Sequence, residues 1–174
     1  LHTEQGRFTG RGDHLGVAQD SVEILTPTID ALARRGVLFE DCFSTSHIPC
    51  PSHAAIRTGL PPRDTGIVAN GVQRLSPNAL TLAEAFRWAG FRTLAVVSNQ
   101  LLGPESAHVT QGFDRLRAPT GDIWRAEVPV SMAQEWLDDS AGLPTFLWLH
   151  VFDAHFPYEP PGQYDRAYYP ADGD

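Results

Sequence analysis

The chain has 174 residues, of which 42% are hydrophobic and 20% charged, values typical of a globular protein with a core of its own. Its 13 basic and 21 acidic residues give a formal net charge of −8, and no cluster of lysine or arginine occurs, so we expect no nucleic-acid partner. No apolar run approaches the length of a membrane helix, and the 2 cysteines make no disulfide framework, so we expect neither a membrane span nor a disulfide-based fold.

The first half of the chain contains two predicted helices. Residues 1–12 show neither helical nor strand periodicity and are expected to be irregular. A helix is predicted over 27–35, with proline at its first position and glycine after its end. The apolar run 37–43 predicts a buried strand. A short helix follows over 51–58, and residues 60–78 are rich in proline and glycine and predict a long loop.

The second half alternates helices with apolar strands. Thr81–Glu84 has the capping-box pattern, and the apolar stripe behind it predicts a helix to residue 89. The run 92–98 predicts a buried strand, and 130–139 predicts a helix. The strongest strand is predicted over 146–152, which is aromatic and β-branched.

This alternation favours parallel strands joined by helical crossovers, and therefore an α/β layered fold. We find no internal repeat and no linker, so a single domain over 1–174 is predicted. In such sheets, function is carried by loops that leave the carboxyl ends of strands. Two segments leave strands in this way, Cys42–Ser52 and Phe152–Pro161.

The first chemistry-bearing segment is Pro49–Gly59, with the sequence Pro-Cys-Pro-Ser-His-Ala-Ala-Ile-Arg-Thr-Gly. A turn that feeds a helix presents free backbone N–H groups and the positive end of the helix dipole, which suits sulfate or phosphate oxygens. The alternative is a plain turn–helix connector.

Cys50 is a candidate nucleophile in this segment, because a thiol before or at a helix start can be activated by the helix field. The alternative is a quiet, buried thiol. The even spacing of His47, Cys50 and His53 also suggests a soft-metal cluster such as a zinc site. That spacing matches no common zinc pattern, and a purely structural role is favoured for the trio.

The second segment is Phe146–Pro161, where an apolar strand delivers Asp153 and His155 into a proline-stiffened loop. His155 is a candidate for binding an anion or relaying a proton near neutral pH. The alternative is a solvated loop histidine.

Taken together, these blocks resemble the sulfatase family of the alkaline-phosphatase superfamily. The resemblance implies a three-layer α/β/α sandwich of the alkaline-phosphatase type, of which this chain would be the N-terminal half. Six blocks in register carry it: Asp13–Gly16, Thr26–Phe39, Pro51–Pro62, Gly90–Asn99, Gln111–Asp114 and Asp153–Tyr158.

The resemblance also implies site residues. His155 matches a histidine that contacts the sulfate group in sulfatases, and His53 stands where the nucleophile motif has arginine. The family's attacking residue aligns with Pro49, which has no side-chain nucleophile. Cys50 lies one residue later. The candidate catalytic residues are therefore Cys50, His53 and His155.

A divalent cation, usually calcium, is implied for the parent family. Its first carboxylate ligand would stand at Phe8, and the remaining ligands belong to a later block that this sequence does not contain. We therefore expect no calcium binding by this chain and assign no metal ligands.

The leading hypothesis is a sulfatase-like hydrolase whose parent cleaves a small-molecule sulfate ester, with this chain inactive alone and lacking its C-terminal half. One alternative is a phosphoester or phosphonate hydrolase of the same superfamily. Another is a non-catalytic, binding-only relative, which the replacements at Pro49 and Phe8 favour.

Overall fold

The computed structural model describes residues 26–39 and 41–164. These residues fall into two compact units. The described residues of the first unit are 26–39, 41–44 and 160–164, and the second unit is Thr45–Glu159.

The first unit contains the predicted helix α1, Pro27–Arg35. The strand predicted over 37–43 is wrong: the described residues of this run form no strand, and Val37 and Phe43 are 78% and 87% exposed. The reason is that an apolar run becomes a strand only against a partner strand, and no described residue of this unit offers one. A short 3₁₀ helix, Gly162–Tyr164, completes the described part of the unit.

The second unit is built on a three-stranded parallel sheet. Its strands are β1 (Arg92–Val97), β2 (Arg115–Arg117) and β3 (Thr145–His150), in the order β2-β1-β3. In the register of the sheet, Ala95 of β1 lies opposite Leu116 of β2 and Trp148 of β3. The strands predicted around 92–98 and 146–152 are confirmed.

Four helices surround this sheet, namely α2 (Pro49–Thr58), α3 (Pro62–Thr65), α4 (Leu82–Trp88) and α5 (Glu127–Asp138). The capping box at the start of α4 forms: the Thr81 side chain accepts from the Glu84 N–H, and the Glu84 carboxylate accepts from the Thr81 N–H. The short helix α3 lies inside the region predicted as loop.

Side-chain alternation along β1 divides the core into two clusters and so produces three layers. One face of the strand packs against α5 and the other against α2, as period-two alternation requires. The cluster on the α5 side contains Leu94, Val96, Ala133 and Trp136. The cluster on the α2 side contains Ala95, Val97 and Trp148 with Cys50 and Ala54.

The sequence predicts an apolar stripe of Leu82, Ala85, Phe86 and Ala89 in α4 and an inward face of Val130, Ala133 and Leu137 in α5. The observed buried faces differ from these in part. In α4, Leu82 is 41% exposed while Ala83 is buried, and in α5, Leu137 is 42% exposed while Trp136 is buried. Helix α5 also begins three residues earlier than predicted. Because each residue turns a helix by about 100°, a small error in phase moves the buried stripe to neighbouring residues. None of the described helices has the length and apolar character needed to cross a membrane.

Candidate functional site

The two segments singled out by sequence meet at the carboxyl end of β3. Helix α2 brings the His53 ring to 5.4 Å from the Trp148 ring and 5.4 Å from the His150 ring, centroid to centroid. The contacts continue into the following loop, where Phe152 lies 6.3 Å from His150 and 4.3 Å from His155. We call His53, His150 and His155 the histidine row. Two of the three predicted catalytic residues, His53 and His155, belong to it.

His155 is held by its own loop. Its backbone N–H donates to the Phe152 carbonyl at 2.9 Å, and its ring stacks on Phe152 at 20°. Its Nδ1 lies 2.7 Å from the Phe156 carbonyl oxygen. Since a carbonyl only accepts hydrogen bonds, Nδ1 carries the proton, and in the neutral ring Nε2 is then the acceptor. The His155 side chain is exposed, and its hydrogen bond to the Phe156 carbonyl fixes the orientation of the ring.

His150 is a site residue that the motif analysis missed. Its Nδ1 is buried and has no hydrogen-bond partner among residues 26–39 and 41–164. Burial lowers the pKa of His150, and the positive charge of Arg57 lowers it further, so this imidazole is neutral at pH 7. The signal was available: alternation along the strand places residue 150 on the same face as Trp148, at the end where functional loops leave the sheet.

Arg57 is the second residue that the sequence analysis missed. Only 4% of this arginine is exposed, and its Cζ lies 3.6 Å from the Trp148 ring centroid and 5.3 Å from that of Phe113. Within the part of the chain that the structure describes, its Nε has no acceptor, and burial lowers the pKa of Arg57 to about 9. The spacing of four residues from His53 places both side chains on one face of α2.

The start of α2 does not offer the free backbone donors that were expected. Pro49 and Pro51 have no N–H, the N–H of Cys50 donates to Asn70 Oδ1 at 2.9 Å, and that of Ser52 donates to the Ile48 carbonyl at 3.1 Å. The expectation of an anion cradle built from these backbone groups is therefore wrong. An anion placed at this helix start would have to be held by side chains.

Cys50 lies in the core on the α2 side of the sheet. It is 0% exposed, and its Sγ donates to the Leu101 carbonyl at 3.3 Å and lies 3.9 Å from Ser106 Oγ. A thiol in this position reaches a dissolved ester only after it leaves these contacts.

No three His, Cys, Asp or Glu side chains within 26–39 and 41–164 are grouped so that they could hold a metal ion. His47, Cys50 and His53 therefore do not form a zinc site. Phe8, the position where the resemblance would require a metal ligand, lies outside the described residues.

Thiol labelling of the native chain tests the burial of Cys50. We expect an aromatic disulfide reagent to modify one thiol rapidly, the exposed Cys42, and the second only at the rate of unfolding. A Cys42→Ser variant should show only the slow phase. Rapid modification of both thiols in the folded protein would contradict the placement of Cys50.

Comparison with known sequences identifies a family. Residues 3–174 match the family model named Sulfatase. Over 151 residues the chain is 28% identical to the N-sulphoglucosamine sulphohydrolase of Homo sapiens, an alignment that covers 79% of this chain and 28% of the human protein.

Two solved structures share the fold. One, in complex with its substrate D-glucosamine-2-N,6-O-disulfate, gives a TM-score of 0.69 at 19% identity and covers 81% of this chain and 32% of that chain. The other, a protein in the alkaline phosphatase superfamily from Vibrio parahaemolyticus, gives 0.56 at 20% identity and covers 79% of this chain and 37% of that chain. The predicted alkaline-phosphatase-like fold is confirmed, and the chain spans about a third of the length of the proteins that it matches.

Proposed function

Because the chain belongs to the sulfatase family, we propose that it is the sulfate-recognising portion of a sulfuric ester hydrolase. The main support for this proposal is that α2 and β3 contact each other through the histidine row. These contacts bring together the two motif segments that the family resemblance had singled out separately. The names of the relatives support a sulfated sugar as the substrate class.

His53 and His155 are the proposed sulfate contacts. With Nδ1–H committed to the Phe156 carbonyl, His155 donates to a sulfate oxygen only when Nε2 is also protonated. The half-buried imidazole of His150 lies 5.4 Å from the His53 ring and 6.3 Å from the Phe152 ring, and burial keeps it neutral.

We propose that this chain alone does not hydrolyse a sulfate ester. Pro49 supplies no nucleophile, and the Cys50 thiol is in the core. A catalytic role for Cys50 stays a prediction that requires the thiol to leave its contact with Leu101. The described residues also do not fit a calcium site by themselves, so the proposed recognition uses none. We propose that the further length found in the relatives contributes what the parent hydrolase needs.

Nuclear magnetic resonance of protein labelled with ¹⁵N at histidine tests the proposal. We expect sodium sulfate to shift the imidazole signals of His53 and His155, and sodium chloride at equal ionic strength to leave them unchanged. His108 is the matched control, since it is a half-buried histidine outside the row, with its Nε2 3.0 Å from Arg74 Nη1. A His155→Gln variant should weaken the sulfate response, and a His108→Gln variant should not.

The same titration separates the alternatives. Equal shifts at His108 and His155, or none, would contradict a sulfate site. Shifts with phosphate but not sulfate would favour the phosphoester hydrolase. Hydrolysis of an aryl sulfate by this chain that is lost in Cys50→Ala would overturn the proposal that it is inactive alone.

A further inference from the structure

The loop that carries His155 is held at two points. We call Val151–Glu159 the post-strand loop. Asp153 Oδ1 accepts a hydrogen bond from the Ala126 N–H at 3.1 Å. Farther along, Arg125 donates from Nη2 to Glu159 Oε2 at 2.8 Å and from Nη1 to the Glu159 carbonyl at 3.3 Å. The two contact points flank His155 in sequence.

The partners of the post-strand loop in these contacts, Arg125 and Ala126, belong to a segment that is anchored to the sheet. Residues 124–126 lie between β2 and the start of α5. The Trp124 N–H donates to the Ser98 carbonyl, just past β1, at 3.0 Å. The Trp124 ring packs against the core cluster on the α5 side. The post-strand loop is thus tied to a segment whose position is set by the core.

The contact of Asp153 also completes helix α5. The helix begins at Glu127, and its N-cap residue, Ala126, has no side-chain oxygen to cap the first turn. The Asp153 carboxylate supplies a negative charge and an acceptor at this positive helix end, from a distant part of the chain. Asp153, which lies two residues before His155 in the sequence, therefore caps the start of α5.

We propose that Asp153 and Arg125 are positioning residues that hold His155 in the histidine row. The proposal rests on the proposed function, in which His155 contacts sulfate. The bonds made by His155 itself go to Phe152 and Phe156, its own loop neighbours, and they move with the loop. Among the described residues, the hydrogen bonds of Asp153 and Arg125 tie that loop to the segment that precedes α5.

Three variants test the positioning role: Asp153→Ala removes the acceptor, Asp153→Asn retains an oxygen that can accept from Ala126, and Arg125→Met removes the contact to Glu159. Arg74→Met is the control, because Arg74 is likewise exposed and donates to a backbone carbonyl, that of Glu105, at 3.1 Å. Two quantities are measured on each full chain: hydrogen exchange of the His155 amide, and the sulfate concentration at half-maximal shift of its ring signal.

We expect His155 amide exchange to become about fivefold faster in Asp153→Ala and in Arg125→Met, as the loss of a cap or exposed ion pair worth about 1 kcal/mol implies. The sulfate midpoint should rise by a similar factor. Asp153→Asn should remain within about twofold of the wild type, and Arg74→Met should be unchanged.

Unchanged exchange and midpoint in both Asp153→Ala and Arg125→Met would overturn the positioning role. Since Arg125 is exposed, its variant remains informative if Asp153→Ala fails to fold. If sulfate does not shift the His155 signal in the wild type, the proposed function fails. The amide exchange of His155 still decides the positioning role in that case.

Discussion

Replacing Gly112 with alanine should destabilise the protein by about 3–4 kcal/mol. The residue has a φ of +88°, where an L-residue is strained by about 1–2 kcal/mol. A Cβ at this position would lie 2.6 Å from Glu84 Cγ, 2.7 Å from Glu84 N and 3.0 Å from Thr81 Oγ1. Forcing an extra methyl into such a site costs about another 1–3 kcal/mol.

The crowding at Gly112 is costly because its neighbours form the capping box of α4. The Gln111 carbonyl accepts from Thr81 Oγ1 at 3.1 Å, and the Gly112 carbonyl accepts from Thr93 Oγ1 at 2.9 Å. The turn is thus bonded to both the start of α4 and the first strand of the sheet. Moving it away to relieve the clash breaks these bonds, and moving Glu84 breaks the cap.

Gly66→Ala is the matched control for this substitution. Gly66 has a φ of +73°, but an added Cβ would meet no atom within 4 Å. We expect this variant to lose only about 1 kcal/mol of stability, because alanine at this φ strains the backbone. Urea unfolding of both variants measures the difference, and an equal loss at the two sites would contradict the steric account.

The parts of the fold that sequence predicted well are those decided by local chemistry. The capping box of Thr81 and Glu84 forms within four residues, so the start of α4 is predictable and confirmed. The apolar runs that became β1 and β3 are buried or half-buried along most of their length and needed only a partner strand, which each supplies to the other. The run 37–43 has the same apolar character but no such partner among the described residues.

The site was harder to predict because it depends on side chains that meet across elements. His53 and His155 were found through motif resemblance, whereas His150 belongs to no motif and Arg57, inside the Pro51–Pro62 block, was given no role. The two prolines at the start of α2 were visible in the sequence, yet only the structure shows that Asn70, some 20 residues later, uses the N–H between them. A local pattern indicates where a helix begins but not which groups remain free at its end.

Arg57→Met should stabilise the protein, against the usual direction of a core substitution. The guanidinium is almost fully buried, Nε has no acceptor, and among the described residues no carboxylate forms an ion pair with it. Lowering its pKa to about 9 corresponds to a penalty of several kcal/mol on the charged form. The stack on Trp148 offsets about 2 kcal/mol of this penalty, and methionine retains much of the apolar contact. We therefore expect the free energy of unfolding of Arg57→Met to exceed that of the wild type by about 2 kcal/mol.

The pH dependence of this gain identifies its origin. In the unfolded chain the pKa of Arg57 has its ordinary value, and in the folded protein burial lowers it to about 9. Below pH 9 both states are charged and the penalty is complete. As the pH rises above 9 the folded state loses its proton first, so the wild type becomes more stable relative to Arg57→Met and the gap narrows.

Paired urea unfolding at pH 7.5 and pH 10 measures this gap, with Arg63→Met as the control because the Arg63 side chain is 85% exposed. The control should stay within about 0.5 kcal/mol of the wild type at both pH values. If Arg57→Met were less stable than the wild type, the guanidinium would have to be paired with a negative charge in the folded protein. In that case the arginine would strengthen α2 on Trp148, and a buried positive charge beneath the histidine row would be a stabilised feature of the site.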